Sequence, residues 1–144
     1  MFPRYFVSLQ RMQIGEVADR TGLSLRTIRY YEEVGLVRPS SRTSGGFRLY
    51  TEADVARLNL VKRMKPLGFS LDEARDLLVV LDRLDEVPAD GSGRSELIDR
   101  LAMYRAAAEH RCADIRTQLE TAEAFAADLR TEISRLRRVA GLAR

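Results

Sequence analysis

The chain has 144 residues, 45% of them hydrophobic and 31% charged, with a net charge of +3. A chain of this length can bury one small core and carry one extension. The sequence contains no apolar run long enough to span a membrane. A single cysteine excludes a disulfide framework, and no export signal precedes the first predicted helix, so we expect a cytoplasmic protein.

Residues 1–11 are predicted to be an N-terminal extension, because the first helical pattern begins only after them. Met12 is a plausible alternative start, which makes these residues either a misannotated start or a disordered segment. The competing interpretation is a basic arm that contacts a negatively charged partner through Arg4 and Arg11.

A helix-turn-helix is predicted next. Apolar residues at helical spacing define a first helix over Ile14, Val17 and Ala18, and Gly22 ends it. Ser24 can cap the second helix, which Gly35 ends. Its buried face is predicted to hold Ile28, Tyr31 and Val34.

The opposite face of this second helix carries two guanidiniums, a hydroxyl and a phenol. Residues 1–50 also hold eight arginines against four acidic residues, so the positive charge of the chain concentrates here. Such side chains suit phosphate oxygens and base edges. The predicted DNA-contacting residues of this helix are Arg26, Thr27, Arg29 and Tyr30.

A wing is predicted after the second helix. Two short β-prone runs, 36–38 and 47–50, flank a segment rich in turn-forming residues at 39–46. Tyr31 and Phe47 are expected to pack in the core, whereas Tyr50 suits either the core or DNA.

Two further helices complete a predicted DNA-binding domain over 12–82. Thr51 and Asp54 cap the third helix, whose apolar side is Val55, Leu58, Val61 and Met64. Pro66 lies in its last turn, where it removes a hydrogen-bond donor, so we expect a kink or an early stop near Met64. Ser70 and Glu73 form a capping box that begins the fourth helix, which continues through Leu81.

Several motifs occur in this domain in a fixed order and spacing. They are Arg29-Tyr30-Tyr31-Glu32, Gly35-Leu36, Gly45-Gly46-Phe47-Arg48-Leu49-Tyr50 and Leu67-Gly68-Phe69-Ser70-Leu71. In this order they closely resemble the MerR family of bacterial transcription regulators, over about half of the chain. The resemblance implies a winged helix-turn-helix that binds double-stranded promoter DNA, with Arg42, Arg48 and Tyr50 of the wing as further contacts.

A long helix is predicted over 96–140, after a linker at 83–95 and before a tail at 141–144. Its apolar residues follow steps of three and four, with one extra residue after Ala108, as in a coiled coil. Self-association would bury this stripe. The predicted dimerisation residues are Leu101, Ala108, Cys112, Ile115, Leu119, Ala122, Leu129 and Ile133. The fold class is therefore mainly α, with a winged helix-turn-helix head and a long C-terminal helix.

The resemblance implies how such a protein works. Its long helices form an antiparallel dimeric coiled coil that joins two DNA-binding domains in a homodimer. Similar proteins bind promoters whose spacer is too long for RNA polymerase holoenzyme, then bend and untwist the DNA. The energy for this distortion is expected to come from phosphate contacts, each sensitive to salt, and from any preference of the site for being deformed.

The sequence does not define an effector. Cys112 and His110 lie two residues apart on a helix, about 200° around it, and cannot chelate one metal ion from within a chain, so we expect no metal site and no cofactor. Cys112 is interpreted as a small hydrophobic residue of the stripe, and a redox switch is the alternative. His110 is interpreted as a solvated residue of the helix. A small organic effector near Met103 and Tyr104 is one possibility.

An architectural or developmental DNA-binding dimer without a ligand switch, controlled by its abundance or by a partner protein, is the other interpretation. An enzyme is not expected, since the sequence shows no phosphate-binding glycine loop and no pairing of a nucleophile with a base.

Overall fold

The computed structural model describes residues 11–141. The predicted extension 1–11 and tail 141–144 therefore lie outside it, apart from Arg11 and Gly141. The chain divides into two compact units, one ending at Ala102 and one beginning at Met103. We call residues 11–102 the head and residues 103–139 the arm, and describe each by itself.

The described chain is mainly helical, as predicted, with a small three-stranded sheet. In chain order its elements are β1 (Met12–Gln13), α1 (Ile14–Thr21), α2 (Leu25–Glu33), β2 (Ser41–Arg42), β3 (Arg48–Tyr50), α3 (Glu52–Met64), a short 3-10 helix (Lys65–Leu67), α4 (Leu71–Glu86) and α5 (Arg94–Val139). The helical patterns of the sequence thus correspond to five α-helices.

The predicted helix caps are confirmed. The Ser24 hydroxyl accepts a hydrogen bond from the Thr27 backbone N–H at 3.0 Å and begins α2. Reciprocal capping boxes begin α3, through Thr51, and α4, through Ser70. Each cap satisfies backbone donors that a helix start otherwise leaves unpaired, which fixes where these helices begin.

The predicted effect of Pro66 is confirmed as well. Helix α3 ends at Met64, and the chain continues as the 3-10 helix that contains Pro66. Gly68 then adopts a φ of 81° and directs the chain into α4. Proline lacks the backbone donor that another α-helical turn needs, so the tighter 3-10 turn is the accommodation.

The sheet differs from the prediction in two ways. Residues 36–38 form no strand; Leu36 and Val37 are instead buried in the core, and the first wing strand is β2. The sequence analysis also missed β1, which pairs antiparallel with β3, so the strand order is β1-β3-β2. Strands of two or three residues carry too few alternating positions for a periodic signal.

The core of the head is made by the predicted faces of α1, α2 and α3. Ile28, Tyr31 and Leu58 have no exposed surface. Two cationic side chains from distant parts of the chain also stabilise the helix-turn-helix. The Lys62 ammonium donates to the Thr21 carbonyl at 2.6 Å, and the Arg75 guanidinium donates to the Val34 carbonyl at 2.6 Å. Each reaches a carbonyl at the end of a helix, where cations are stabilising.

The turn between α1 and α2 requires a glycine at position 22. Its φ is 72°, and a Cβ at this position would lie 3.0 Å from the Lys62 ammonium nitrogen. A side chain here would therefore strain the backbone and crowd the cation that caps α1.

The predicted linker is shorter than expected. Helix α4 extends to Glu86 and α5 begins at Arg94, so only 87–93 connect them, not 83–95. The Arg94 guanidinium donates to the carbonyls of Leu84 and Val87, at 3.2 and 3.1 Å. The head, as a compact unit, includes this connection and the beginning of α5.

The beginning of α5 packs inside the head. Val80, Leu84 and Leu97 form a buried cluster, with Val87 and Leu101 packed against it. Leu101 was predicted to be a dimerisation residue, and the structure gives it this intrachain position. Helical spacing could not distinguish a contact within the chain from one between chains.

The arm is a single helix with a row of exposed apolar side chains. They include Ile115, Leu119, Phe125, Leu129, Ile133 and Leu136. Among residues 11–141, no helix combines the length and the apolar character needed to cross a lipid bilayer.

Candidate nucleic-acid interface

Three of the predicted DNA-contacting residues lie on one exposed face of α2. Arg26, Arg29 and Tyr30 follow a spacing of three and four residues, and all three are exposed. The other side of the helix is anchored by the buried Ile28 and Tyr31. We call Arg26, Arg29 and Tyr30 the reading face.

Thr27, the fourth predicted residue of α2, is half-buried beside this face. Its hydroxyl lies 2.8 Å from the Ser24 hydroxyl, and its backbone N–H is the group that Ser24 caps. Thr27 therefore contributes to the start of the helix in addition to its predicted role.

The wing presents its arginines through a hairpin next to α2. Strands β2 and β3 are antiparallel, with Arg42 directly opposite Arg48. At the tip, the Thr43 N–H donates to the Phe47 carbonyl at 2.8 Å, and the Gly46 N–H donates to the Thr43 carbonyl at 2.9 Å. Gly46 has a φ of 82°, which glycine adopts without strain.

Both wing arginines bind one carboxylate of α2. The Arg42 guanidinium donates to one oxygen of Glu32 at 2.5 Å, and the Nε of Arg48 donates to the other oxygen. The hydrogen bond with Glu32 raises the pKa of Arg48 above its ordinary value, although a guanidinium is charged at physiological pH without this partner as well. Glu32 was part of a quoted motif, but the sequence analysis gave it no role.

Tyr50 does not belong to the exposed interface. Its side chain has no exposed surface, and its hydroxyl has no hydrogen-bond partner among the described residues. Burial is the main reason that the pKa of Tyr50 is raised above its usual range. The structure therefore corrects its assignment as a DNA contact and supports the core interpretation that the sequence had left open.

The prediction for Phe47 was also wrong, because this side chain is exposed and not buried. It was expected in the core, but 65% of its side chain is exposed at the wing tip. Side chains alternate along a strand, so Phe47 and the buried Tyr50 lie on opposite faces. That alternation could have shown that the two rings lie on opposite faces, but not which of them is buried.

Arg11 lies close to the wing. Its guanidinium donates to the Ser41 hydroxyl at 3.1 Å. Arg4, the other residue of the predicted basic arm, lies outside the described residues. Arg11 therefore extends the basic surface of the wing from the strand side.

A further ion pair joins α1 to α3. The Arg20 guanidinium donates to both carboxylate oxygens of Glu52, at 2.5 and 2.6 Å. This hydrogen bonding lowers the pKa of Glu52 and raises that of Arg20. The pair is an exposed link between the end of α1 and the beginning of α3.

The arm holds the two soft donors of the sequence. Cys112 is exposed, and the His110 Nε2 lies 3.8 Å from an oxygen of Asp114. Within residues 11–141, no three side chains of His, Cys, Asp or Glu come together as a group that could hold a metal ion.

Known proteins resemble this chain in sequence and in fold. Residues 12–79 match the family model described as MerR HTH family regulatory protein. The mercuric resistance operon regulatory protein of Bacillus cereus is 48% identical over 73 residues, which are 51% of this chain and 55% of that protein. The chain thus spans about half the length of the curated relatives it matches.

Solved structures extend the likeness beyond the head. The transcription regulator PbrR691 from Ralstonia metallidurans CH34, solved with lead(II), is 31% identical, with a TM-score of 0.51 over 88% of this chain and 85% of that one. HiNmlR, a regulator lacking the sensor domain and bound to promoter DNA, has a TM-score of 0.59 at 20% identity, over 92% and 95% of the two chains, and shares the fold. These proteins are transcription regulators, not enzymes.

Proposed function

The chain belongs to the MerR family of HTH regulatory proteins, and from this premise we propose that it is a sequence-specific DNA-binding transcription regulator that acts as a homodimer. The observation that carries the proposal is the reading face. Arg26, Arg29 and Tyr30 are exposed together, while the buried side of the same helix fixes their direction. Guanidiniums and phenols in such a position can contact both phosphates and base edges.

The wing adds a second set of contacts to the same DNA. Arg42 and Arg48 provide positive charge beside α2, and the exposed ring of Phe47 is available for an apolar contact with a sugar or a base. A helix in the major groove and a wing along the backbone would divide recognition between base edges and phosphates. The proposed interface is Arg26, Thr27, Arg29, Tyr30, Arg42, Phe47 and Arg48.

Dimerisation is proposed through the arm. The exposed apolar row of α5 would bury its surface against a second copy, antiparallel as in similar proteins. Besides the large residues, the predicted contacts include Ala108, Cys112 and Ala122. A two-fold dimer presents two reading faces and therefore fits a pseudo-palindromic site.

The mechanism proposed from the family is distortion of a promoter whose spacer is too long, so that RNA polymerase holoenzyme engages both of its elements. This work takes place in the bacterial cytoplasm, where the chromosome lies. Phosphate contacts contribute to the binding energy and make it sensitive to salt, and a deformable site would favour the bent state.

Whether an effector controls this activity separates two versions of the proposal. Lead(II) is part of the PbrR691 structure, whereas within residues 11–141 of this single chain no three side chains of His, Cys, Asp or Glu form a group that could hold a metal ion. A small organic effector would have to bind two conformations of the dimer unequally. The alternative is an architectural dimer without a ligand switch.

The test is a footprint of the purified chain on the DNA upstream of its own gene, combined with transcription by purified polymerase without added ligand. Protection of a palindrome in an overlong spacer, with transcription on, supports the dimer without a switch. Protection with transcription off supports a regulator that requires an effector. If the wild-type chain protects no DNA even at low salt, and Arg29→Ala gives the same result, the proposal is contradicted.

A further inference from the structure

Glu32 occupies an unusual position between the reading helix and the wing. It lies near the end of α2, only 16% of its side chain is exposed, and each of its carboxylate oxygens accepts from a different wing arginine. Arg42 comes from β2 and Arg48 from β3, so one carboxylate joins α2 to both strands of the hairpin.

The strand register makes this carboxylate necessary. Arg42 and Arg48 are directly opposite each other on antiparallel strands. Like charges in such a pair destabilise a hairpin, and strands as short as β2 and β3 have little stability of their own. A negative charge between the two arginines converts this repulsion into two attractions.

The arginines keep donors for a second partner. A guanidinium has five N–H donors, of which Arg48 directs its Nε to Glu32, and Arg42 directs one terminal nitrogen to Glu32 and another to the Gly46 carbonyl at 3.1 Å. Arg42 also remains 46% exposed. Each arginine can therefore contact a phosphate while Glu32 still holds it.

We propose that Glu32 is the positioning residue of the DNA interface: it holds Arg42 and Arg48 so that the wing and the reading face meet DNA as one surface. Glu32 itself does not contact DNA. This inference deepens the proposed function, because it concerns the same interface and assumes that the wing arginines bind phosphate.

The test compares Glu32→Gln with Glu33→Gln in the full chain. Both changes remove one negative charge near the end of α2. Glu33 is exposed, and the hydrogen bonds to Arg42 and Arg48 are made by Glu32 and not by Glu33. The first readout is hydrogen exchange of the free protein, with the wing amides of Thr43 and Gly46 compared with core amides of α3. The second is binding to duplex DNA from upstream of the gene, measured over a range of salt.

In Glu32→Gln we expect wing amides to exchange at least about tenfold faster, while core amides keep their protection. DNA affinity should fall about tenfold or more, and the slope of log affinity against log salt should fall by about 4, since the homodimer loses two phosphate contacts in each of its two subunits. Glu33→Gln should leave wing exchange and the salt slope unchanged. Glu32→Asp, which keeps the charge on a shorter side chain, should be intermediate.

Two results would overturn the inference. One is unchanged wing exchange in Glu32→Gln. The other is tighter DNA binding in both variants with an unchanged salt slope, which would make Glu32 merely a charge that repels DNA. If the core amides of Glu32→Gln also lose protection, the Arg42→Gln background decides. In that background the positive charge opposite Arg48 is absent, so Glu32→Gln should reduce the exchange protection of the wing amides by less than it does in the wild type. An equal reduction would contradict the inference.

Failure of the proposed function is distinguishable from failure of this inference. If the wild-type chain binds no DNA at any salt concentration, the proposed function fails, and with it the claim that Glu32 serves DNA binding. The exchange experiment on free protein would still decide whether Glu32 holds the wing.

Discussion

The head and the arm use the same kind of helical pattern with opposite results. In the head, Ile28 has no exposed surface, and its helix α2 packs against α1. In the arm, Ile115 and Leu119 follow equally regular spacing, yet 45% and 56% of their side chains are exposed. Apolar periodicity therefore specifies which face of a helix is to be buried, but not what covers it.

The difference predicts that the arm depends on a second chain, whereas the head is complete within one. It also predicts that damage to the two regions is seen by different measurements: association for the arm, unfolding for the head. The following predictions test this division, from the largest effect to the smallest.

Leu119→Asp should abolish dimerisation. Loss of one buried leucine per chain costs about 1.5–3 kcal/mol, or about 3–6 kcal/mol per dimer, so the dimer dissociation constant should rise roughly a hundredfold or more. Sedimentation velocity measures the effect. Thr117→Asp, about 200° around the helix from Leu119, places the same charge away from the stripe and should leave the dimer intact. A fully dimeric Leu119→Asp chain would remove the stripe from the interface.

Ile28→Ala should destabilise the head by about 2–5 kcal/mol, because it leaves a cavity in a fully packed core. Urea unfolding at a fixed protein concentration measures this loss. Leu25→Ala is the control on the same helix, where the side chain is 40% exposed, and it should cost less. If the two variants were equally stable, the core of α2 would have been misidentified.

Arg29→Ala should weaken DNA binding by about 1–3 kcal/mol through loss of a charge-assisted contact. The dimer should remain intact, since Arg29 lies in the head. Fluorescence anisotropy with upstream duplex DNA gives the affinity, and sedimentation gives the oligomeric state. An unchanged affinity in a folded variant would exclude Arg29 from the interface.

Thr51→Ala should destabilise the head by about 1 kcal/mol, because the Asp54 N–H loses the hydroxyl that caps α3. Thr51→Ser retains the hydroxyl and should be nearly neutral. Urea midpoints of the two variants provide the comparison, and equal losses would assign the effect to the threonine methyl group.

The smallest effect concerns the exposed pair of Arg20 and Glu52. The pKa of Glu52 is lowered in the folded chain, so its contribution to stability is present above the pKa of the unfolded carboxyl and disappears as pH falls through the folded value. Glu52→Gln should therefore lose stability near neutrality but not in strong acid. The loss should be small for so exposed a pair, and it should vanish in an Arg20→Gln background.

Most of the helical architecture could be predicted from the sequence, because its signals are local. A hydroxyl before each of α2, α3 and α4 satisfies the first N–H groups, and Gly22, Gly35 and Gly68 adopt the positive φ that ends a helix or turn. Pro66 likewise acts within one helical turn. Such features depend on neighbouring residues alone, so the beginning of α2 and the end of α3 were predicted from the sequence.

The candidate site was only partly predictable, because several of its features depend on distant residues. Tyr50 and Phe47 are aromatic residues three positions apart, and only the hairpin pleat and its packing decide that one is buried and the other exposed. The role of Glu32 required the register that places Arg42 opposite Arg48.

The sequence by itself determined the family, the helices and the exposed polar face of α2, since these follow from spacing, capping and motif order. Only the tertiary structure decided the third strand, the short connection before α5 and the intrachain packing of Leu101. It also decided that the charges of Arg42 and Arg48 meet on one carboxylate. The physical reason is that pairing and burial join residues far apart in the chain, whereas caps and helical periods join near neighbours.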